Sequence, residues 1–451
     1  MTRFAALLTV AICLTPSAAL AQATQVTTPP PNMVISNYNS TAVGPFGGLE
    51  GTAYVARIND PSSTWFNPAG LAKLGSPEIS GSAGVYQRTA VAPSALPNKG
   101  GSIQQLPNFV GFTFVPRQGM TVGAALLSTN SWSQETDSEL ISPVAGGQQR
   151  FAYSADSGFE QRVAAIAVGY KGSDSWRVGG GFAFSLMDLR LVQSATERVA
   201  DATGLRSVLL SARASGSSIQ LRGQGGAQYE TGHWSVGGAL RTPGLTIHRS
   251  GSAILDGVMT DDPGSLGASL FDADADLEYR LPWEFQMGAA YSGKRFQVEL
   301  DVHAYTSIDP YALLSSTQPV LVYEDPGGGA APVVTSRPFA GLTSASDSVA
   351  NVAVGGHFKV FENRDLRVHA GVSSNQSPVA ADDQVFTRVD LATWSVGASG
   401  TIGKFKFAAG LNRQSGAADN IRLYNRLNGQ PVTTPVDIRI AGFIYSIAYQ
   451  F

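Results

Sequence analysis

The sequence predicts an all-β fold, a transmembrane antiparallel barrel, and three observations carry the prediction. Near the C-terminus Phe443, Tyr445, Ile447, Tyr449 and Phe451 alternate with Ile444, Ser446, Ala448 and Gln450. Period two puts the first set on one face of a strand. That face is wholly apolar and aromatic, which suits lipid better than water. Beyond residue 21 no apolar run reaches the roughly 18 residues of a spanning helix, yet 43% of the chain is apolar. Charged residues are only 14%, glycines number 50 of 451 residues, and the net charge is -3. Only helices and closed barrels satisfy the backbone in hydrocarbon, so a barrel remains. The same neutral, glycine-rich composition argues against a nucleic acid partner. An exported soluble β-sandwich or solenoid is the rival architecture, and it would need a second layer over every apolar strand face.

The N-terminus reads as an export signal over 1–21. Arg3 precedes an apolar run from Phe4 to Leu14, and Ala19-Leu20-Ala21 offers an A-x-A cleavage site, after Ala21 or Ala23. The one cysteine, Cys13, lies inside it, so the mature chain has no disulfide or thiolate metal site. Residues 22–75 lack period two. Thr28 to Pro31 is an extended Pro-rich leader, while Phe46, Tyr54, Val55, Trp65, Phe66, Leu71 and Leu74 are too apolar for a free tail. This segment reads as a plug in the barrel lumen. Within it Asn67 caps, Pro68 opens and Gly75 ends a helix of one or two turns.

Residues 76–451 read as the barrel, with about fourteen strands, an even number as bacterial barrels require. The spans are 76–91, 105–117, 119–132, 150–171, 174–193, 215–230, 233–256, 273–292, 295–308, 345–361, 364–376, 386–402, 404–416 and 437–451. The clearest alternation sets Phe296, Val298, Leu300, Val302 and Ala304 toward lipid and Arg295, Gln297, Glu299, Asp301 and His303 toward a polar lumen. Phe405, Phe407, Ala409 and Leu411 repeat the outward set, with Lys404 and Lys406 inward. Glu299, Asp301, Lys404 and Lys406 are expected as interior ion pairs, since charges inside a membrane survive facing a polar interior. Short turns such as Arg117-Gln118-Gly119, Gly172-Ser173-Asp174 and Glu362-Asn363-Arg364 alternate with long polar loops. Two of those loops show near-helical apolar spacing. Leu205, Val208 and Leu209 lie in 196–213, and Leu266, Leu270 and Phe271 in 259–271. They read as rim packing or as an external apolar groove.

The run Ala53-Tyr54-Val55-Ala56, then Asn59 through Leu71 (NDPSSTWFNPAGL), closely resembles the hatch of the FadL family. These are outer-membrane transporters of long-chain fatty acids and other hydrophobic compounds, aromatic hydrocarbons included. Leu106-Pro107-Asn108-Phe109, Leu281-Pro282-Trp283-Glu284-Phe285 and Ser374-Asn375-Gln376-Ser377-Pro378-Val379 are similar to further family segments. The resemblance implies a fourteen-stranded barrel with an N-terminal hatch, capture of ligand outside, and sideways release where the third strand kinks. It gives Phe66, Asn67, Pro68 and Ala69 the gating role. It puts the kink near Asn130-Ser131-Trp132, where this chain lacks the glycine expected there. It also implies an outer-membrane monomer, inserted by the barrel-assembly machinery through the strand ending in Phe451.

Other chemistries are weighed against this. The five histidines, His233, His248, His303, His357 and His369, are scattered without H-E-x-x-H or a close metal pair. No G-x-S-x-G or G-x-x-x-x-G-K-[ST] occurs; Gly288 to Lys294 has the glycine spacing, but Arg295 follows the lysine. No catalytic residue, cofactor or metal is expected. The partners are hydrophobic small molecules and outer-membrane lipid. A fatty-acid transporter, an aromatic-hydrocarbon transporter, a diffusion porin and an outer-membrane lipid hydrolase stand in that order.

Overall fold

Strand alternation of this kind closes only if the first strand meets the last. In the computed structural model, residues 34–41, 43–93, 101–144, 146–201, 204–261, 264–425 and 431–451 are described. The signal over 1–21, and the leader up to residue 33, lie outside them. The first six strands are β1 (Glu78–Pro93), β2 (Gly101–Arg117), β3 (Met120–Val144), β4 (Gly147–Lys171), β5 (Trp176–Asp201) and β6 (Gly204–Thr231). Then come β7 (Trp234–Arg241), β8 (Leu245–Asp261), β9 (Gly264–Leu277), β10 (Glu284–Ser292), β11 (Phe296–Tyr305) and β12 (Ile308–Ser315). The rest are β13 (Val320–Asp325), β14 (Val333–Arg337), β15 (Leu342–Ser346), β16 (Val349–Lys359), β17 (Leu366–Asn375), β18 (Asp390–Ile402), β19 (Phe405–Asn425) and β20 (Pro431–Gln450).

Fourteen of these form the closed wall. The ring runs β1 to β7 in order, then β10, β11 and β16 to β20, every contact antiparallel. It closes where β20 pairs with β1, Tyr449 opposite Ile79 and Tyr445 opposite Ala83. The expected strands at 233–256, 273–292 and 295–308 each contain a break. At 242–244, 278–283 and 306–307 the wall strand is interrupted, and β8, β9 and β12 continue beyond it. There β8 stays on β6 and β9 on β8, with the β13–β14 hairpin added to β9.

The two faces separate as the alternation predicts. Phe296, Val298, Leu300 and Val302 point outward, while Glu299, Asp301 and His303 are buried. Phe443, Tyr445 and Ile447 likewise face out, with Ile444, Ser446 and Ala448 in. Among the described residues no helix is long and apolar enough to cross a membrane.

Three expectations are corrected. The segments 196–213 and 259–271 are not helices. They belong to long hairpins, β5 on β6 and β8 on β9, in which Ala200 faces Leu205 and Met259 faces Leu266. A strand ladder satisfies every backbone group along its length, and neighbours override local spacing. The six apolar residues do not form one groove: Leu205, Leu209 and Phe271 are exposed, Val208 is half-buried, and Leu266 and Leu270 face the interior. Finally, Lys404 sits exposed in the β18–β19 turn rather than on the lumen face, and extends its amine 5.9 Å from the Tyr449 ring centroid. Lys406, one turn residue later in phase, does face inward and pairs with Glu78 at 2.7 Å.

Candidate functional site

From Val34 to Leu71 nearly every residue is buried, though most of the segment has no regular structure. Its partners are the inner faces of the wall. A 3-10 turn at Gly47–Glu50 rests on β16 to β19, and a second at Pro68–Lys73 rests on β3 to β6, across the ring. The segment therefore lies inside the barrel. Such close packing of backbone on backbone needs a wall without side chains. A Cβ at Gly179 would stand 2.6 Å from the nitrogen of Ala69, and one at Gly169 2.7 Å from that of Ala72. At Gly226 it would collide with Asn67 Oδ1, and at Gly355 with the carbonyl of Glu50. The glycine content noted in the sequence includes this seat.

Asn67 fixes the local turn. Its Oδ1 accepts from Ala69 N–H at 3.2 Å, capping Pro68–Lys73. Its Nδ2 donates to Val55 O at 3.0 Å and to Ala227 O of β6 at 3.1 Å. Phe66 packs with Val43, Tyr54 and Trp65 against Phe109, Leu127 and Val163 of the wall. Phe66, Asn67, Pro68 and Ala69 are thus brought together, against the adjacent strands β2 to β6.

Buried charges hold the rest of the segment. Arg57 binds Glu50 and reaches Glu299 of β11 at 2.8 Å. Asp301 accepts from the amides of Tyr54 at 2.8 Å and Val55 at 3.0 Å. Burial alone would raise the Glu50 pKa, but Arg57 and two imidazoles outweigh it and hold the carboxyl well below its usual range. Asp60 makes no salt bridge among the described residues, and Lys406 offsets its burial only weakly. Burial pushes its pKa from 3.8 up to about 6, against the hydrogen bonds from Ser62. His357 and His369, opposite each other in the β16–β17 ladder, both meet Glu50. A second cluster lies on the neighbouring strands β6, β7 and β10. Arg241 and Arg222 share Glu284 at 2.5 and 3.7 Å, and the Arg241 guanidinium covers the Trp65 ring at 3.7 Å. Asn39 of the segment also donates to Glu284, at 2.9 Å.

Toward the long-hairpin end the interior turns apolar. Val34 and Ile35 join Trp132, Phe159, Met187, Leu210, Leu255, Leu277, Leu281, Phe386 and Ile438 in one cluster contributed by strands all around the ring. It begins directly above the Arg222–Glu284 pair, since Arg222 Nη2 donates to Pro282 O at 2.9 Å beside Leu281.

The third strand carries a bulge at Thr129. Ser128 pairs with Arg162 and Asn130 with Gln161, so one residue is extra. Before it Leu127 faces in and Leu126 out; after it Trp132 faces in and Ser131 is half-exposed. The β2–β3 ladder ends at the same height, with Phe109 opposite Leu127 as its last described pair. Asn108 makes a matching bulge of β2 against β1, and Pro107 has no N–H to extend the ladder. The inner segment takes up the freed groups: Thr41 N–H donates to Thr129 O at 3.2 Å, and Asn130 Nδ2 donates to Asn37 O at 2.8 Å. Asn130 and Trp132 therefore line the interior just past the last described β2–β3 pair.

Sequence reasoning missed Glu50, Arg57, Arg222, Arg241 and Glu284 as a functional set. A signal existed for the histidines, since His357 and His369 lie equally far from Asn363, the centre of a turn recognised in the sequence.

This architecture defines a class: an antiparallel barrel that holds its own N-terminal segment below an apolar interior. No family model and no curated protein matches the sequence. Solved structures do. A Pseudomonas aeruginosa FadL homologue is 14% identical with a TM-score of 0.60, covering 92% of this chain and 100% of its own. The Pseudomonas putida toluene transporter TodX is 13% identical with a TM-score of 0.57, covering 92% and 99%. The Ralstonia pickettii toluene transporter TbuX is 13% identical with a TM-score of 0.51, covering 91% and 98%. The protein has the FadL-type fold.

Proposed function

We propose that this chain is an outer-membrane channel for hydrophobic molecules, long-chain fatty acids foremost, working by passive, ligand-gated diffusion. The apolar cluster inside the barrel is the observation that carries the reading. A porin lumen is lined with polar groups, whereas this interior offers a ligand the same environment as lipid. In this reading residues 22–75 are the leader and hatch, seated by Asn67, and the signal over 1–21 is removed on export. Ligand leaves sideways at the third-strand bulge, beside the last described β2–β3 pair. An apolar chain gains little in a watery channel and about 0.8 kcal/mol per methylene on entering lipid. No covalent step is needed, so the protein is a carrier and not an enzyme. It works as a monomer, with β20 as its assembly signal.

The charge balance favours an acid as ligand. Arg222 and Arg241 face one carboxylate, Glu284, at the floor of the apolar cluster. The two guanidiniums share this one ion-pair partner among the described residues, and a ligand carboxylate would supply a second. The toluene transporters among the structural neighbours favour a second reading, uptake of neutral aromatic hydrocarbons. Buried Trp132 lies in the apolar cluster and is a natural reporter. Its quenching by oleate, against toluene, is measured in the purified protein and in Arg222→Met. Saturable oleate binding that weakens in the variant supports the acid reading. Toluene binding alone, indifferent to the variant, moves the function to hydrocarbon uptake. Saturable binding of neither overturns both.

A further inference from the structure

We propose that Glu50, His357 and His369 form a binding site for one divalent transition-metal ion of the zinc class, joining the inner segment to the wall. Glu50 comes from the 3-10 turn, His357 from β16 and His369 from β17. Glu50 Oε1 lies 2.9 Å from His357 Nδ1 and 2.6 Å from His369 Nδ1. One ligand atom from each residue fits within a 4.8 Å span. Two imidazoles and a carboxylate are donors suited to a borderline ion, which takes bonds of about 2.0–2.2 Å. Ligand atoms around such an ion stand about 3.3 Å apart in a tetrahedron, so a small opening of the triad admits it.

Three further features fit. The other nitrogen of His369 is held by Ser399 Oγ at 2.7 Å, the outer-shell bond that fixes a ligating imidazole. The triad borders a cavity of about 250 Å³, which leaves room for a water as fourth ligand. The buried charge is also short of cations. Glu50, Glu299 and Asp301 are all at most 1% exposed, and Arg57 is the one guanidinium among them. Nearby Arg295 and Arg367 already pair with Glu362 and Asp365. Arg57 competes for Glu50 and its Nη1 stands 3.5 Å from His357 Nδ1, but it keeps Glu299 at 2.8 Å and Ala53 O at 3.1 Å when it yields. A bound ion would thus replace Arg57 on Glu50 and fasten the turn to two wall strands. The site is separate from the hydrophobic path and does not depend on which ligand travels along it.

The test uses the full-length protein purified in detergent and stripped with a chelator. Zn²⁺ is titrated by calorimetry and Co²⁺ by visible absorption, which reports nitrogen ligation and tetrahedral geometry. One ion per chain is expected, with binding abolished in the His357→Asn/His369→Asn double variant. Ser399→Ala should weaken binding by about ten- to a hundred-fold, with heat-modifiable gel migration unchanged. If the double variant fails to fold, Ser399→Ala and the Co²⁺ spectrum decide. No saturable Zn²⁺ binding, a Co²⁺ spectrum without nitrogen ligation, or affinity unaffected in the folded variants would overturn the site.

Discussion

Gly179→Ala tests whether bare backbone on β5 is what lets the inner segment sit. The new methyl would lie 2.5 Å from Pro68 O and 2.6 Å from Ala69 N. Ordinary contact starts near 3.4 Å and Pro68 C would stand nearest, at 2.4 Å, so the turn must retreat by about 1 Å. That displacement takes the Asn67 Nδ2–Ala227 O bond from 3.1 Å past the usable range. Overpacking costs about 1–3 kcal/mol and the lost hydrogen bond about 0.5–1.5 kcal/mol. Seating would weaken by about 2–4 kcal/mol, and each 1.4 kcal/mol is tenfold, so the released fraction rises about 30- to 1,000-fold. Single-channel recording in planar bilayers reads this directly as openings rare in the parent chain and frequent in the variant. Gly225→Ala is the control, because its Cβ would meet only Gly179 O at 3.9 Å. Equal opening frequency in all three proteins, with equal protease resistance of residues 34–75, would refute the seat.

Asn67→Ala loses a cap worth about 1 kcal/mol and both Nδ2 bonds, so openings should also rise; Asn67→Asp keeps the acceptor and isolates the loss of the donors. Seating should depend on pH through Asp60, whose pKa is raised from 3.8 to about 6 by burial. A raised folded-state pKa contributes stability that is complete below the unfolded value and lost as pH rises through about 6, at most about 3 kcal/mol. Recordings should therefore show more openings at pH 7.5 than at pH 5, and Asp60→Asn should flatten the difference; an unchanged slope in that variant would remove Asp60 from the account. Deleting Thr129 removes the bulge and restores the β3 register, so oleate uptake by cells should fall to background while oleate still quenches Trp132; normal uptake would mean the bulge is not the route.

The wall was legible because lipid and lumen impose opposite demands on adjacent residues. Phe296 to His303 alternate so cleanly that face and strand follow from the residues alone. The Asn67 cap was legible for a different reason: Asn67, Pro68 and Ala69 interact within one turn. Glu50 could not be matched to His357 and His369 because the contact spans some 300 residues. The same limit hid Arg241 from Glu284, which are ladder neighbours across β7 and β10. The upper hairpins misled for a physical reason. Leu205, Val208 and Leu209 serve two strand faces, and two overlapping period-two patterns imitate a helical stripe. Glycine was legible as composition and not as a seat, since an absent side chain acquires meaning only when something lies against it.

The bulge at Thr129 has a consequence for how the molecule transmits force. A regular third strand would offer its carbonyl to the second, but Pro107 brings no hydrogen to that meeting, and the backbone of Thr41 takes the acceptor instead. Tether and seam thus draw on a single oxygen atom. Pulling residues 37–41 inward strips Thr129 and Asn130 of their partners at the bulge, beside the last described β2–β3 pair. A disturbance of the inner strap therefore reaches the side of the barrel in one bond length, with no relay of intermediate residues to carry it.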